Sequence, residues 1–132
     1  MIIVDSSVWI DYFNGRDTPE TVQLDSCLSV ELIAIGDIIL TEVLQGFKND
    51  LDYQTAKTLL TSLTIYPLLG VTLAIKSADN YRQLRKKGIT IRKTNDVIIA
   101  TFCIENNFPL LFSDKDFIPF VNHLNLRSVL AK

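Results

Sequence analysis

With 132 residues, 48% of them hydrophobic, and only five Gly and four Pro, the chain is neither disordered nor collagenous nor of low complexity. A chain of 14.9 kDa buries roughly two-thirds of its unfolded surface, enough for one core and too little for two, so residues 1–132 are expected to form a single domain. The formal charge of −2 supplies no global basic field to attract nucleic acid, and no run approaches the ~20 apolar residues that cross a bilayer. The opening Met1-Ile2-Ile3-Val4-Asp5 lacks a basic segment and reaches a carboxylate at once, which predicts no signal peptide, no membrane association and a cytoplasmic location.

In chain order, residues 1–4 form a short β-branched run expected to be a strand buried on both faces. Asp5-Ser6-Ser7 supplies N-cap chemistry for a helix over 8–13, which Asn14-Gly15 ends. Thr18-Pro19 opens a second helix expected to bury Val22, Leu24, Cys27 and Leu28. Residues 32–35 are a second strand. Asp37 is expected to cap a helix with Ile39, Val43, Leu44 and Phe47 on one side, and Asp50 to open another that buries Leu51, Ala56, Leu59, Leu60 and Leu63. Residues 64–67 end in Pro and predict an edge strand. Thr72 caps a long helix running to Lys87 and closed by Gly88, and Thr94 caps a helix with Val97, Ile98, Ala100, Thr101 and Ile104 inside. A strand over 110–112, a helical turn over 116–121 and a last strand over 126–130 complete the chain. Short apolar strands alternating with helices predict a three-layer α/β/α sandwich around a mostly parallel sheet, with ligands bound beyond the carboxyl ends of its strands.

Cysteine and histidine exclude further chemistry. Cys27 and Cys103 form no C-x-x-C pair and lie among apolar residues, so both are expected in the core. His123 is the sole histidine, which rules out a His-rich zinc site and leaves it an ordinary surface or capping position. Any catalysis must therefore rest mainly on carboxylates.

Four acids stand out by position. Asp5 ends the first strand, and Asp114 follows the strand over 110–112 with Ser113 between, so a parallel sheet sends both to the same edge. Asp96 falls in the first turn of a helix, where an acid also favours the helix dipole. Glu42 lies beside an apolar stripe, between Leu40-Thr41 and Val43-Leu44, where an unpaired carboxylate is costly. Four such groups meeting in one crevice would repel strongly unless hard divalent cations such as Mg²⁺ or Mn²⁺ joined them. That arrangement suits phosphodiester cleavage, with one ion activating a water and a second stabilising the leaving oxygen.

Ile3-Val4-Asp5-Ser6-Ser7, Leu40-Thr41-Glu42-Val43, Thr94-Asn95-Asp96-Val97-Ile98-Ile99-Ala100 and Leu111-Phe112-Ser113-Asp114-Lys115-Asp116-Phe117 together resemble the PIN-domain nucleases, and among them the VapC toxins of prokaryotic toxin–antitoxin pairs. The resemblance implies that Asp5, Glu42, Asp96 and Asp114 hold Mg²⁺ or Mn²⁺, with Asp116 as a further acid. It also implies that Ser6, Thr94, Asn95 and Ser113 support the site, Ser113 standing where the family usually has Thr. An endoribonuclease cutting a structured RNA, such as a transfer RNA or ribosomal RNA loop, is the implied activity. A homodimer and a VapB-like antitoxin whose C-terminal segment covers the site are the implied partners. A mean hydropathy of +0.23 agrees with apolar surface kept for interfaces, and equally with a Leu- and Ile-rich core.

Arg82, Arg85, Lys86, Lys87, Arg92 and Lys93 place six of the 13 positive charges in twelve residues leading to Asp96. On the nuclease reading Arg82, Arg85, Lys86, Arg92 and Lys93 become contacts for RNA phosphates, the alternative being a solvated helix face. Trp9, Tyr12 and Phe13 offer a base-stacking surface, though aromatics at that spacing are more often core or dimer contacts. Two competitors remain, a phosphoacceptor of the receiver or phosphatase kind using Asp5, and a non-catalytic RNA-binding scaffold of the same fold.

Overall fold

The structure is a computed structural model, and it describes residues 1–30 and 32–131. In chain order the elements are β1 (Ile2–Val4), α1 (Ser6–Phe13), α2 (Pro19–Ser29), β2 (Ile33–Gly36), α3 (Asp37–Leu44), α4 (Asp50–Thr61), β3 (Thr64–Tyr66), α5 (Val71–Lys86), α6 (Thr94–Asn106), β4 (Leu110–Leu111), a 3-10 turn (Lys115–Phe117) and α7 (Ile118–His123).

The sheet runs β3-β2-β1-β4 and every pair of strands is parallel. Ile3 stands against Ala34 on one side and Leu110 on the other, which makes β1 central and accounts for its unbroken apolar run. β3 is an edge strand, as Pro67 predicts, with Thr64 and Ile65 exposed. Beyond β4 the expected strand over 126–130 shrinks to one parallel bridge between Leu110 and Ser128. Asn125, at φ 64°, turns the backbone just before this segment.

From β1 through β2 to β3 the chain steps one way across the sheet, then crosses back to β4 on the far side of β1. Right-handed crossovers therefore put α1–α4 on one face and α5–α7 on the other, and the helix contacts follow that division. The order reverses between β1 and β4, which is where an open parallel sheet leaves its crevice.

Local chemistry sets most boundaries. Thr18 and Thr21 form a reciprocal cap, each hydroxyl accepting from the other's amide at 3.0 and 2.9 Å. Several caps fall beside the expected residue. Asp37 is the first residue of α3 instead of its cap, and its carboxylate accepts from the amides of Ile38 (2.8 Å) and Leu68 (3.1 Å), tying the exits of β2 and β3 together. Asp50 opens α4 as expected, and Asn49 caps it through the amides of Leu51 and Asp52. Gly70 at φ 103° precedes α5, where Thr72 was expected to cap, and Lys93 is the cap of α6, with Thr94 its first residue. Leu68 is fully buried against Gly36, where any Cβ would overlap its side chain.

The core gathers Ile3, Val4, Trp9, Leu24, Ile35, Leu60, Ile99, Leu111 and Phe117 around the sheet, with Cys27 and Cys103 buried as free thiols. Burial drives the Cys103 thiol pKa upward. Two residues expected inside are outside: Val22 is 56% exposed and Leu51 74%. In α2 the inner face passes through Thr21, Leu24 and Cys27, and in α4 through Ala56 and Leu60, so Val22 and Leu51 fall off those faces. Trp9 is fully buried and stacked on Phe13, so it is core and offers no surface to a base. No helix among the described residues is long and apolar enough to cross a membrane.

Candidate metal centre

Asp5 leaves β1 directly into α1, whose N-cap it is. Its amide donates to Leu111 O (2.9 Å), fixing it against β4. One carboxylate oxygen, Oδ2, accepts from Ser7 Oγ at 2.8 Å and Ser7 N at 3.4 Å. The other, Oδ1, is buried with no partner. Asp5 is 3% exposed, and burial lifts its pKa to about 6, against the opposing hydrogen bonds from Ser7 and the Ser6 amide and with a small further push from Glu42.

Asp114 leaves β4 at the same edge and caps the 3-10 turn, its Oδ1 accepting from Asp116 N at 2.9 Å. Ser7 Oγ and Ser113 Oγ, 3.2 Å apart, join the two strand exits. Asp96 stands in the first turn of α6, its amide donating to Lys93 O at 3.1 Å. A helix N-terminus favours a carboxylate, yet the Asp96 pKa rises to about 7. Burial is the larger cause, followed by the charges of Asp5 and Asp114, with Lys93 opposing and Glu42 adding to the rise. Glu42 reaches in from α3 on the opposite face of the sheet, its Oε2 accepting from Asn95 Nδ2 at 3.3 Å.

Asp96, Asp114 and Asp116 each place a carboxylate oxygen within 4.8 Å of the others. Asp5 and Glu42 stand outside this tight trio, but their charges act on Asp96. Asp5 Oδ1, Glu42 Oε1 and Asp96 Oδ2 are all buried without a partner. Buried carboxylate oxygens are otherwise paired or bound to cations. An all-oxygen donor set of this kind fits Mg²⁺ or Mn²⁺.

Cations approach from one side. Arg92 Nη2 lies 3.1 Å from Asp116 Oδ2, and Lys93 Nζ lies 3.6 Å from Asp114 Oδ2. The rest of the basic run lies elsewhere. Arg82 and Arg85 line a cavity of about 500 Å³ between α5 and α6, with Leu69, Tyr81 and Val97, and Arg85 sits over the Tyr81 ring. Lys86 is exposed at the end of α5 and His123 at the end of α7. The hydroxyl that reaches the Asp5 carboxylate is Ser7's, whereas Ser6 offers its amide; a Ser two residues after a strand-ending Asp is the local signal for that pairing. The ion pairs of Arg92 and Lys93 had no signal in the sequence.

Residues 2–120 match the model of the PIN domain family. The chain belongs to the PIN-domain family. Within it, this PIN domain is of the VapC type: it is 32% identical to VapC ribonuclease Mb1587 of Mycobacterium bovis and to ribonuclease VapC11 of Mycobacterium tuberculosis, in each case over 97% of both chains. Its fold is similar to that of VapBC2 from Rickettsia felis, solved bound to a DNA fragment from its promoter (TM-score 0.77, 22% identity, all of both chains). It is also similar to a toxin–antitoxin complex from Klebsiella pneumoniae (TM-score 0.69, 22% identity, 89% of this chain and 90% of that one). A third similar fold is FitAcB from Neisseria gonorrhoeae (TM-score 0.73, 14% identity, 97% of this chain and 96% of that one). The expected family and the α/β PIN-like fold are both borne out.

Proposed function

We propose that this PIN domain is a Mg²⁺- or Mn²⁺-dependent endoribonuclease and the toxin of a toxin–antitoxin pair. The observation that carries this is the set of three buried, unpartnered carboxylate oxygens, on Asp5, Glu42 and Asp96, gathered at the carboxyl edge of the sheet. Asp5, Glu42, Asp96 and Asp114 would hold the metal, with Asp116 beside them. Two divalent ions held there would lower the pKa of a bound water, so that it yields a hydroxide nucleophile at neutral pH, and would balance the charge on the leaving oxygen. Ser7 and the Ser6 amide orient Asp5, Asn95 orients Glu42, and the first turn of α6 holds Asp96. Ser113 links the two strand exits through Ser7, and Thr94 begins the helix that carries Asp96. Arg92 and Lys93 meet RNA phosphates at the rim, and Arg82, Arg85 and Lys86, which lie away from the carboxylates on α5, would meet phosphates farther along the RNA. A loop of a structured RNA, where bases are free to splay, is the expected substrate.

The partners proposed are a VapB-like antitoxin and a second copy of the chain. Similar folds described as toxin–antitoxin complexes support the first. The second is supported by exposed apolar side chains on β3, the loop after it and the start of α5, Ile65, Leu69, Val71 and Ile75. The phosphoacceptor reading loses ground because Asp5, its required nucleophile, is almost completely buried.

Purified protein incubated with cellular RNA and Mn²⁺ should give discrete fragments, and both EDTA and Asp96→Asn should abolish them. Equal cutting in EDTA would overturn the mechanism. RNA binding with no cutting under any divalent metal would favour the scaffold reading.

A further inference from the structure

Arg92 and Lys93 are expected to hold substrate phosphates, yet in the structure both are engaged by acids of the metal centre. Arg92 bonds Asp116 Oδ2 and Lys93 approaches Asp114 Oδ2, and these two acids with Asp96 form the tight carboxylate trio. Their main chain is fixed, since Ile91 is buried and Lys93 O holds the Asp96 amide. Their side chains are not: Arg92 is 74% exposed and Lys93 58%, and exposed ion pairs are weak and readily exchanged. Lys93 makes no side-chain cap on α6, so moving its ammonium costs the helix nothing.

A divalent cation entering among Asp96, Asp114 and Asp116 takes up the charge that now holds the two side chains, and like charges then repel the displaced groups. They remain tethered at the mouth of the crevice, where the anions available to them are those of the substrate.

We propose that Arg92 and Lys93 are exchangeable internal counter-ions: they pair with Asp116 and Asp114 until a divalent cation replaces them, and the freed guanidinium and ammonium then bind the phosphates of the RNA. Metal and RNA thus strengthen each other's binding, by the same factor in both directions. The other cations of the basic run lack this property, because none of them pairs with an acid of the centre among the described residues. The proposal rests on the metal-nuclease reading, and its test separates the two.

Mn²⁺ binding is read by electron paramagnetic resonance on protein first stripped with EDTA. RNA binding is read by fluorescence anisotropy of a short labelled 2′-O-methyl oligonucleotide, with and without Mn²⁺. Wild type should bind the oligonucleotide about tenfold more tightly once Mn²⁺ is present, a coupling of ordinary size. In the double variant Arg92→Gln/Lys93→Gln, Mn²⁺ alone should bind several-fold more tightly, because its internal competitors are gone, while its effect on the oligonucleotide falls to about twofold. Lys87→Gln, which removes one exposed charge of the same run, should behave as wild type. If wild type binds Mn²⁺ but the double variant shows unchanged Mn²⁺ affinity or undiminished coupling, the exchange is overturned and the nuclease reading stands. If wild type binds no Mn²⁺ at neutral pH, both fall.

Discussion

A carboxylate oxygen buried without a partner destabilises the charged form, and Asp5, Glu42 and Asp96 each keep one. For Asp5 and Asp96 the folded pKa values, about 6 and about 7, lie above the ordinary carboxylate value. The folded chain therefore binds more protons than the unfolded one from about pH 4 to about pH 7, and its stability falls as pH rises through that window. In EDTA the protein should be less stable at about pH 8 than at about pH 5 by on the order of 2–4 kcal/mol in chemical denaturation. Asp96→Asn should flatten that slope and raise the Tm in EDTA near pH 8 by roughly 3–8 °C, while losing the further rise that Mg²⁺ gives wild type. A destabilised Asp96→Asn would mean that the carboxylate is satisfied in a way the geometry does not show. Ser7→Ala removes a hydrogen bond from the charged Asp5, so the Asp5 pKa should climb further and Mn²⁺ affinity at neutral pH should drop several-fold, with Ser6→Ala nearly silent by the same titration. At this scale the sequence marks the acids well, because a strand end and a helix start are local features. The serine that bends back is legible too, in the two-residue spacing from Asp5 to Ser7, although the resemblance pointed to Ser6.

Elements decide how firmly those side chains are aimed. α6 is buried from Asp96 to Cys103, so its first turn is held by packing along most of its length, with Asn80 Nδ2 bonding Thr101 Oγ1 at 3.0 Å from α5. Asn95 then carries the contact across the crevice to Glu42. Asn95→Ala should leave the melting curve nearly unchanged while lowering Mn²⁺ affinity and RNA cleavage by roughly 10–100-fold, as outer contacts of metal ligands do. A Gly36→Ala change acts instead on the scaffold: the new methyl meets Leu68, which is fully buried and cannot move aside, for a loss of about 1–3 kcal/mol measured by urea unfolding. The periodic patterns of α5 and α6 announce helices in the sequence. Their caps do not: α5 starts from Gly70 and α6 from Lys93, neither with a side-chain cap, and at α3 the Asp37 carboxylate is drawn to the distant Leu68 amide.

For the whole molecule, the placing of β1 between β2 and β4 brings residues 5, 96 and 114 to one edge from three parts of the chain. Glu42 arrives over the opposite face, from α3. The exposed apolar side chains on β3 and α5, Ile65, Val71 and Ile75, belong to the same scale. Val71→Asp combined with Ile75→Asp should convert a sedimenting dimer to monomer at micromolar concentration with an unchanged circular dichroism spectrum, both residues being exposed in the single chain. A wild type that sediments as monomer across that range would remove the homodimer.

The alternation of strands and helices, the α/β class, the family and the positions of the candidate acids at a strand end and a helix start all lie in the sequence, because apolar periodicity and strand-end chemistry are written over a few neighbouring residues. Tertiary structure alone decided that the final apolar segment contributes one bridge in place of a strand, and that Val22 and Leu51 face outward. It also decided that Arg92 and Lys93 turn toward Asp116 and Asp114. Each of these depends on which surfaces other segments have already covered and on where distant charges come to rest, and neither is encoded in local spacing.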